Sequence, residues 1–158
     1  MNTTQLIRNE VKALGYTPKQ VSVRQHNRSV DVIIKDFTAN YKALERLRKY
    51  ERVRRCEATH EVLCGGNTFV SISYDWKREA DIKKTPDYLS FLNGIISKLS
   101  EIEGNSGVAL SPNIAAFKNQ NNGRYQLSVK WEDTPWVLLS NEHDVAWYVY
   151  LNRLQGKN

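Results

Sequence analysis

Ile7, Val11 and Leu14 recur at i, i+4 and i+7, the spacing of one face of an amphipathic helix over about residues 4–14, which Gly15 stops. Arg8 and Lys12 fall off that stripe. Thr17-Pro18-Lys19-Gln20 carries the pattern of a capping box with proline at the first helical position, with room for a single turn. Alternation then takes over: residues 21–24 and 30–34 read as two strands joined by the polar loop 25–29, a hairpin. A second helix is predicted over 40–52, where Ala43, Leu44, Leu47 and Tyr50 form one buried arc. The alternation of residues 68–74, after Gly65-Gly66-Asn67, predicts a third strand, followed by a charged connector over 77–84.

Thr85-Pro86 opens the strongest helical stripe of the chain, Tyr88, Phe91, Leu92, Ile95, Ile96, Leu99 and Ile102, and Gly104 closes it. Strands are predicted over 114–117, 125–131 and 135–139, and a final helix over 142–154 with apolar residues around much of its circumference. The order α-β-β-α-β then α-β-β-β-α predicts a two-layer α+β fold, a mainly antiparallel sheet with helices packed on it. The expected units are 1–76 and 85–158, able to share one core.

Composition narrows the class. With 158 residues, 41% apolar and 25% charged, the chain can bury a core of its own, which excludes a disordered tail or a fibrous repeat. Residues 1–10 lack the layout of a secretory signal, and no apolar run approaches the roughly 20 residues that span a bilayer, so a cytoplasmic protein without a membrane span is expected. Two cysteines, Cys56 and Cys64, are too few for a disulfide scaffold; reduced thiols are expected.

The net charge of +6 is unevenly spread. Thirteen of the 23 basic and seven of the 17 acidic residues lie at or before Cys64, and the remainder balances at ten of each. The densest run gives the candidate binding residues Lys42, Arg46, Arg48, Lys49, Arg52 and Arg55, whose outward row on the helix suits phosphates or an acidic protein patch. The competing expectation is a solvated helix with Glu45–Lys49 and Glu51–Arg55 pairs. Phe69 and Tyr74 suit base stacking or ordinary strand packing, whereas Trp131, Trp136 and Trp147 are expected as core anchors.

Signals for chemistry are thin. Cys56, His60 and Cys64 step by four, which on a helix would align two thiols and an imidazole for zinc, but no fourth ligand is near and the stretch reads as a loop. Gly65-Gly66-Asn67-Thr68 lacks the lysine and following helix of a phosphate loop, and no nucleophile elbow is present. Asp31 and Asp36 flank a strand and read as turn or surface groups. No metal, cofactor or catalytic residue is expected, which leans away from an enzyme.

The most specific pattern is a set of runs: Leu14-Gly15-Tyr16-Thr17, Val21-Ser22-Val23-Arg24, Val32-Ile33-Ile34-Lys35-Asp36, and Glu61 through Val70 with Gly-Gly-Asn-Thr-Phe-Val at its end. With these runs, residues 6–76 resemble the large polyvalent protein-associated domain family twenty-nine. The resemblance implies a setting in phages, prophages and conjugative elements, where such domains occur in large proteins thought to enter the recipient with DNA and to help against host defences. It carries over no catalytic residue. The expectation is a non-catalytic accessory protein that binds and blocks a host nucleic-acid-handling defence complex; the alternative is direct DNA or RNA binding through the basic helix 40–55.

Overall fold

A computed structural model describes residues 2–63 and 66–157 and divides them into two compact units, Met1–Glu79 and Ala80–Asn158. Each unit has its own buried core of helices packed on a sheet, so the fold is α+β in the predicted order.

In the first unit, α1 (Thr3–Ala13) is opened by Asn2, whose side chain accepts from the Gln5 N–H. Thr17 and Gln20 then make the expected single turn, with the Thr17 N–H donating to Gln20 Oε1 and the Gln20 N–H to Thr17 O. Strands β1 (Val21–His26) and β2 (Ser29–Ile34) form the antiparallel hairpin. Its connection is shorter than predicted because Asn27, at φ 53°, turns the chain in the left-handed region that asparagine tolerates. Strand β3 (Phe69–Tyr74) lies parallel to β2, giving the order β1-β2-β3. One face of this sheet contributes Val21, Val30, Val32, Ile34, Val70 and Ile72 to a core closed by Ile7, Val11, Leu44 and Leu47. Those four are the apolar stripes read from the sequence.

The predicted helix over 40–52 is corrected. Only α2 (Tyr41–Glu45) is α-helical; Arg46–Tyr50 is a 3-10 helix, and Glu51 is already extended. Leu44, Leu47 and Tyr50 stand at intervals of three, a spacing the tighter helix also satisfies, and its end releases the chain toward the edge of β3. There Arg52 and Thr68 bridge, and Arg55 bridges Val62.

Helix α3 (Trp76–Lys83) occupies most of the predicted connector and buries none of its residues. In the second unit, α4 (Pro86–Ser100) starts as predicted, the Thr85 hydroxyl accepting from the Tyr88 N–H. Strands β4 (Val108–Ser111), β5 (Ile114–Lys118), β6 (Tyr125–Val129) and β7 (Val137–Leu139) form an antiparallel meander, and α5 (Glu142–Leu154) ends the fold. Strand β4 is an addition to the predicted elements. Tyr88, Leu92, Ile95, Leu99, Val145 and Val149 from the two helices pack on Leu110, Ile114, Ala116, Leu127 and Val129 from the sheet. Among the described residues no helix is long and apolar enough to cross a membrane.

Candidate binding surface of the amino-terminal unit

All of the formal excess charge belongs to the first unit. Residues 1–79 hold fifteen basic and nine acidic side chains, and residues 80–158 hold eight of each. The six basic candidates do not share one helical face, because the helix that would have aligned them breaks at Glu45 and ends at Tyr50.

Lys42 lies on α2 and is exposed. Arg46 and Lys49 stand three apart on the 3-10 helix, where side chains at that spacing eclipse. The Arg46 charge opposes that of Lys49, but Glu10 decides the lysine's state. Lys49 Nζ is 2.8 Å from Glu10 Oε1, and the Tyr50 hydroxyl donates to Glu10 Oε2 at 2.6 Å. These contacts, the Lys49 hydrogen bond foremost, hold the Glu10 carboxyl below its ordinary range and raise Lys49. The expected Glu45–Lys49 pairing is therefore replaced by a contact back to α1.

Arg48 and Glu51 perform a structural task. Arg48 Nη1 donates to Val70 O at 3.3 Å, and Glu51 Oε2 accepts from the Val70 N–H at 3.0 Å. The two side chains satisfy both backbone groups that Val70 turns to the outer edge of β3, where no further strand pairs among the described residues, which blunts that part of the edge. Arg48 is thus committed to the fold, and the expected Glu51–Arg55 pair does not form. Arg55 Nη1 donates to His60 O at 3.1 Å. Arg52 exchanges backbone hydrogen bonds with Thr68, at 2.9 and 2.7 Å, and leaves its side chain exposed.

Arg46, Lys49 and Arg52 are therefore exposed, the first two on the 3-10 helix and the third at a bridge, in place of an α-helical row. The loop that follows is fastened by Asn67, which is buried: its Oδ1 accepts from the Arg54 N–H at 2.7 Å and its amide donates to Leu63 O at 2.6 Å. That accounts for part of the Gly-Gly-Asn-Thr pattern as a local lock.

The described part of the Cys56–His60–Cys64 stretch is a loop, as read from the sequence, and not the helix that would align the three side chains. The His60 N–H donates to Cys56 O and the Cys56 N–H to Glu61 O, closing a turn in which His60 sits at φ 61°. Cys64 lies outside the described residues. Cys56 is a free, half-buried thiol, and hydrogen bonding from Thr59 lowers its pKa. Among the described residues no cluster of three or more histidine, cysteine, aspartate or glutamate side chains could hold a metal ion.

The aromatic expectations divide. Tyr74 packs inward, edge-on to Phe37 and stacked with Tyr41, while Phe69 is 38% exposed. Trp131 and Trp147 pack against the second core, but Trp136 is 43% exposed, edge-on to Phe117.

A second basic group, missed as a site in the sequence, lies between α1 and β1. Arg8, Lys12 and Arg24 line a groove of about 630 Å3 there. The signal was the i, i+4 pair Arg8 and Lys12 off the apolar stripe; only the packing of α1 beside β1 brings Arg24 to them. No protein-family model, curated protein or solved structure matches this chain.

Proposed function

We propose that this chain is a non-catalytic accessory protein of a phage or mobile element, which binds and blocks a host nucleic-acid-handling defence complex through its basic amino-terminal unit. The observation that carries the reading is the confinement of the whole net charge to residues 1–79, with Arg46, Lys49 and Arg52 exposed. Such a potential speeds encounter with a negatively charged partner and selects against basic ones. The mobile-element setting rests on the sequence resemblance of residues 6–76.

The test is expression of the chain in cells carrying defined nucleic-acid-targeting defence systems, scored by phage plating or plasmid transfer. Wild type is expected to raise transfer through at least one system, and Arg46→Glu with Arg52→Glu to abolish the gain without loss of folded protein. Absence of protection against every system tested, or full protection by the double variant, overturns the reading.

The exposed side chains of Arg46 and Arg52, which take part in no ion pair among the described residues, favour direct nucleic-acid binding as a second reading. A mobility shift with duplex and single-stranded oligonucleotides that weakens steeply as salt rises, and is reduced by Arg46→Ala with Lys49→Ala, identifies this mode.

A further inference from the structure

Strand β1 is the outer strand of its sheet, and its backbone shows which groups are left over. Gln20 O accepts from the Lys35 N–H, so the even-numbered residues of β1 face β2 and the odd-numbered ones turn their peptide groups outward. Two outward groups are already used: the Val21 N–H donates to Thr17 O at 2.9 Å, and Val23 O accepts from Arg8 Nη2 at 3.2 Å. The N–H groups of Val23 and Gln25 and the carbonyls of Val21 and Gln25 face the side where no strand pairs among the described residues. This edge borders the groove of about 630 Å3, whose lining includes Val11, Val21 and Val23 from the apolar side and Arg8, Lys12 and Arg24 from the polar side. The lining contains no aspartate or glutamate. Asp31 stands opposite Arg24 across the hairpin, where it accepts from the Ser29 hydroxyl.

We propose that this groove binds an extended acidic segment of a partner protein, which pairs with the free edge of β1 and sets its carboxylates against Arg8, Lys12 and Arg24. An added strand matches the leftover edge groups with main-chain hydrogen bonds. Because successive side chains of a strand point to opposite faces, a segment that carries its acidic residues in adjacent pairs sets one carboxylate toward Arg24 and the next toward Arg8 and Lys12 on the α1 side, with apolar residues between the pairs meeting the partly buried Val23. Arg8 serves as the exchangeable cover of the edge: it releases Val23 O to the incoming strand and turns its guanidinium to a carboxylate, a stronger, charge-assisted partner than a carbonyl. This surface is separate from Arg46 and Arg52, so the proposal stands or falls independently of the polyanion reading above.

The experiment uses the full chain with a fluorescein-labelled peptide that repeats two glutamates followed by two valines, with fluorescence polarisation and amide hydrogen exchange as readouts. Saturable binding is expected, together with slowed exchange at the Val23 and Gln25 amides. Lys12→Glu with Arg24→Glu is expected to weaken binding at least about tenfold, because both rim charges become repulsive; circular dichroism checks that this variant is folded. Backbone N-methylation of the peptide is expected to abolish both signals, since it removes the donors that strand pairing needs. Equal binding of the N-methylated peptide, equal binding of a lysine-valine peptide, or unchanged exchange at Val23 and Gln25 overturns the proposal. Protection of those two amides by duplex DNA but not by the acidic peptide overturns it in favour of a nucleic-acid groove.

Discussion

Residues 1–79 and 80–158 solve the same packing problem and finish their surfaces differently. Each unit commits one sheet face to helices and a core of aliphatic side chains. On the opposite face of the first sheet, the register brings Ser22, Ile33 and Ser73 into one row and Arg24, Asp31 and Ser71 into the next. On the corresponding face of the second sheet the rows are Ala109, Ala115 and Ser128, then Phe117, Gln126 and Leu138. The latter face carries no charge at these positions, and Leu138 is 68% exposed. Core formation dictates only the inward positions of each strand, so the outward positions are free to be charged in one unit and apolar or small in the other. The difference teaches that the net charge is a property of one unit's surface and not a requirement of the shared architecture.

The most severe way to break the comparison is to remove a core side chain from either unit. Leu47 and Leu127 are both fully buried, one in each core. Leu47→Ala and Leu127→Ala are each expected to destabilise by about 2–5 kcal/mol. Amide exchange reports where: the first variant should lose protection chiefly in β1–β3 and the second chiefly in β4–β7. Loss spread evenly over both sheets after either change would show that the two cores act as one.

A smaller effect is expected at Gly107. A Cβ there collides with the Phe117 ring, so the ring must shift. Gly107→Ala should cost about 1–3 kcal/mol and alter tryptophan emission, because Phe117 packs edge-on to Trp136 at 5.5 Å between centroids. An unchanged emission spectrum and an unchanged urea midpoint would show that the apolar face adapts freely.

Next in size is the link that ties the 3-10 helix to α1. Glu10 accepts from both Lys49 and Tyr50, and its carboxyl is lowered from the ordinary 4.5. A carboxyl with a lowered folded pKa stabilises the fold above its unfolded pKa, and that contribution fades as the pH falls through the folded value. Glu10→Gln should lower Tm at pH 7 by about 2–4 °C, with the gap to wild type closing as the pH falls below 4.5. A gap that stays constant with pH would assign the effect to packing.

The smallest effect is spectroscopic and lies in the second unit. Burial, with the Glu142 hydrogen bond, pushes the Tyr125 hydroxyl up to about 12, and burial raises Tyr148 as well. Tyrosine absorbance should therefore show two hydroxyls of the second unit still protonated at about pH 11. A raised folded pKa stabilises the fold below the unfolded value of 10.0 and loses that contribution as pH rises toward about 12. Glu142→Gln should move the Tyr125 step downward and leave Tyr148 in place.

Legibility in the sequence followed periodicity. Helices α1, α4 and α5 and most strands were readable because apolar side chains return at 3.6 or at 2 residues wherever a face is buried. Helix α3 was not, since it buries no residue and so has no stripe. Strand β4 was hidden by its brevity and by the alanine among its four residues. The basic cluster was legible as composition but not as a row. Its alignment depended on where an α-helix gives way to a 3-10 helix, and Leu44, Leu47 and Tyr50 fit both geometries.

The linear order of residues determined the α+β class, the apolar stripes that line the cores, the helix start at Thr85 and the concentration of positive charge before residue 80. These depend on local periodicity and on counting, which neighbours in the chain suffice to define. The parallel placement of β3, the use of Arg48 and Glu51 to seal its edge, the pairing of Lys49 with Glu10 and the meeting of Arg8 with Arg24 were decided by tertiary structure alone. A side chain's partner is chosen by which segments pack side by side, and 39 positions separate Glu10 from Lys49 along the chain.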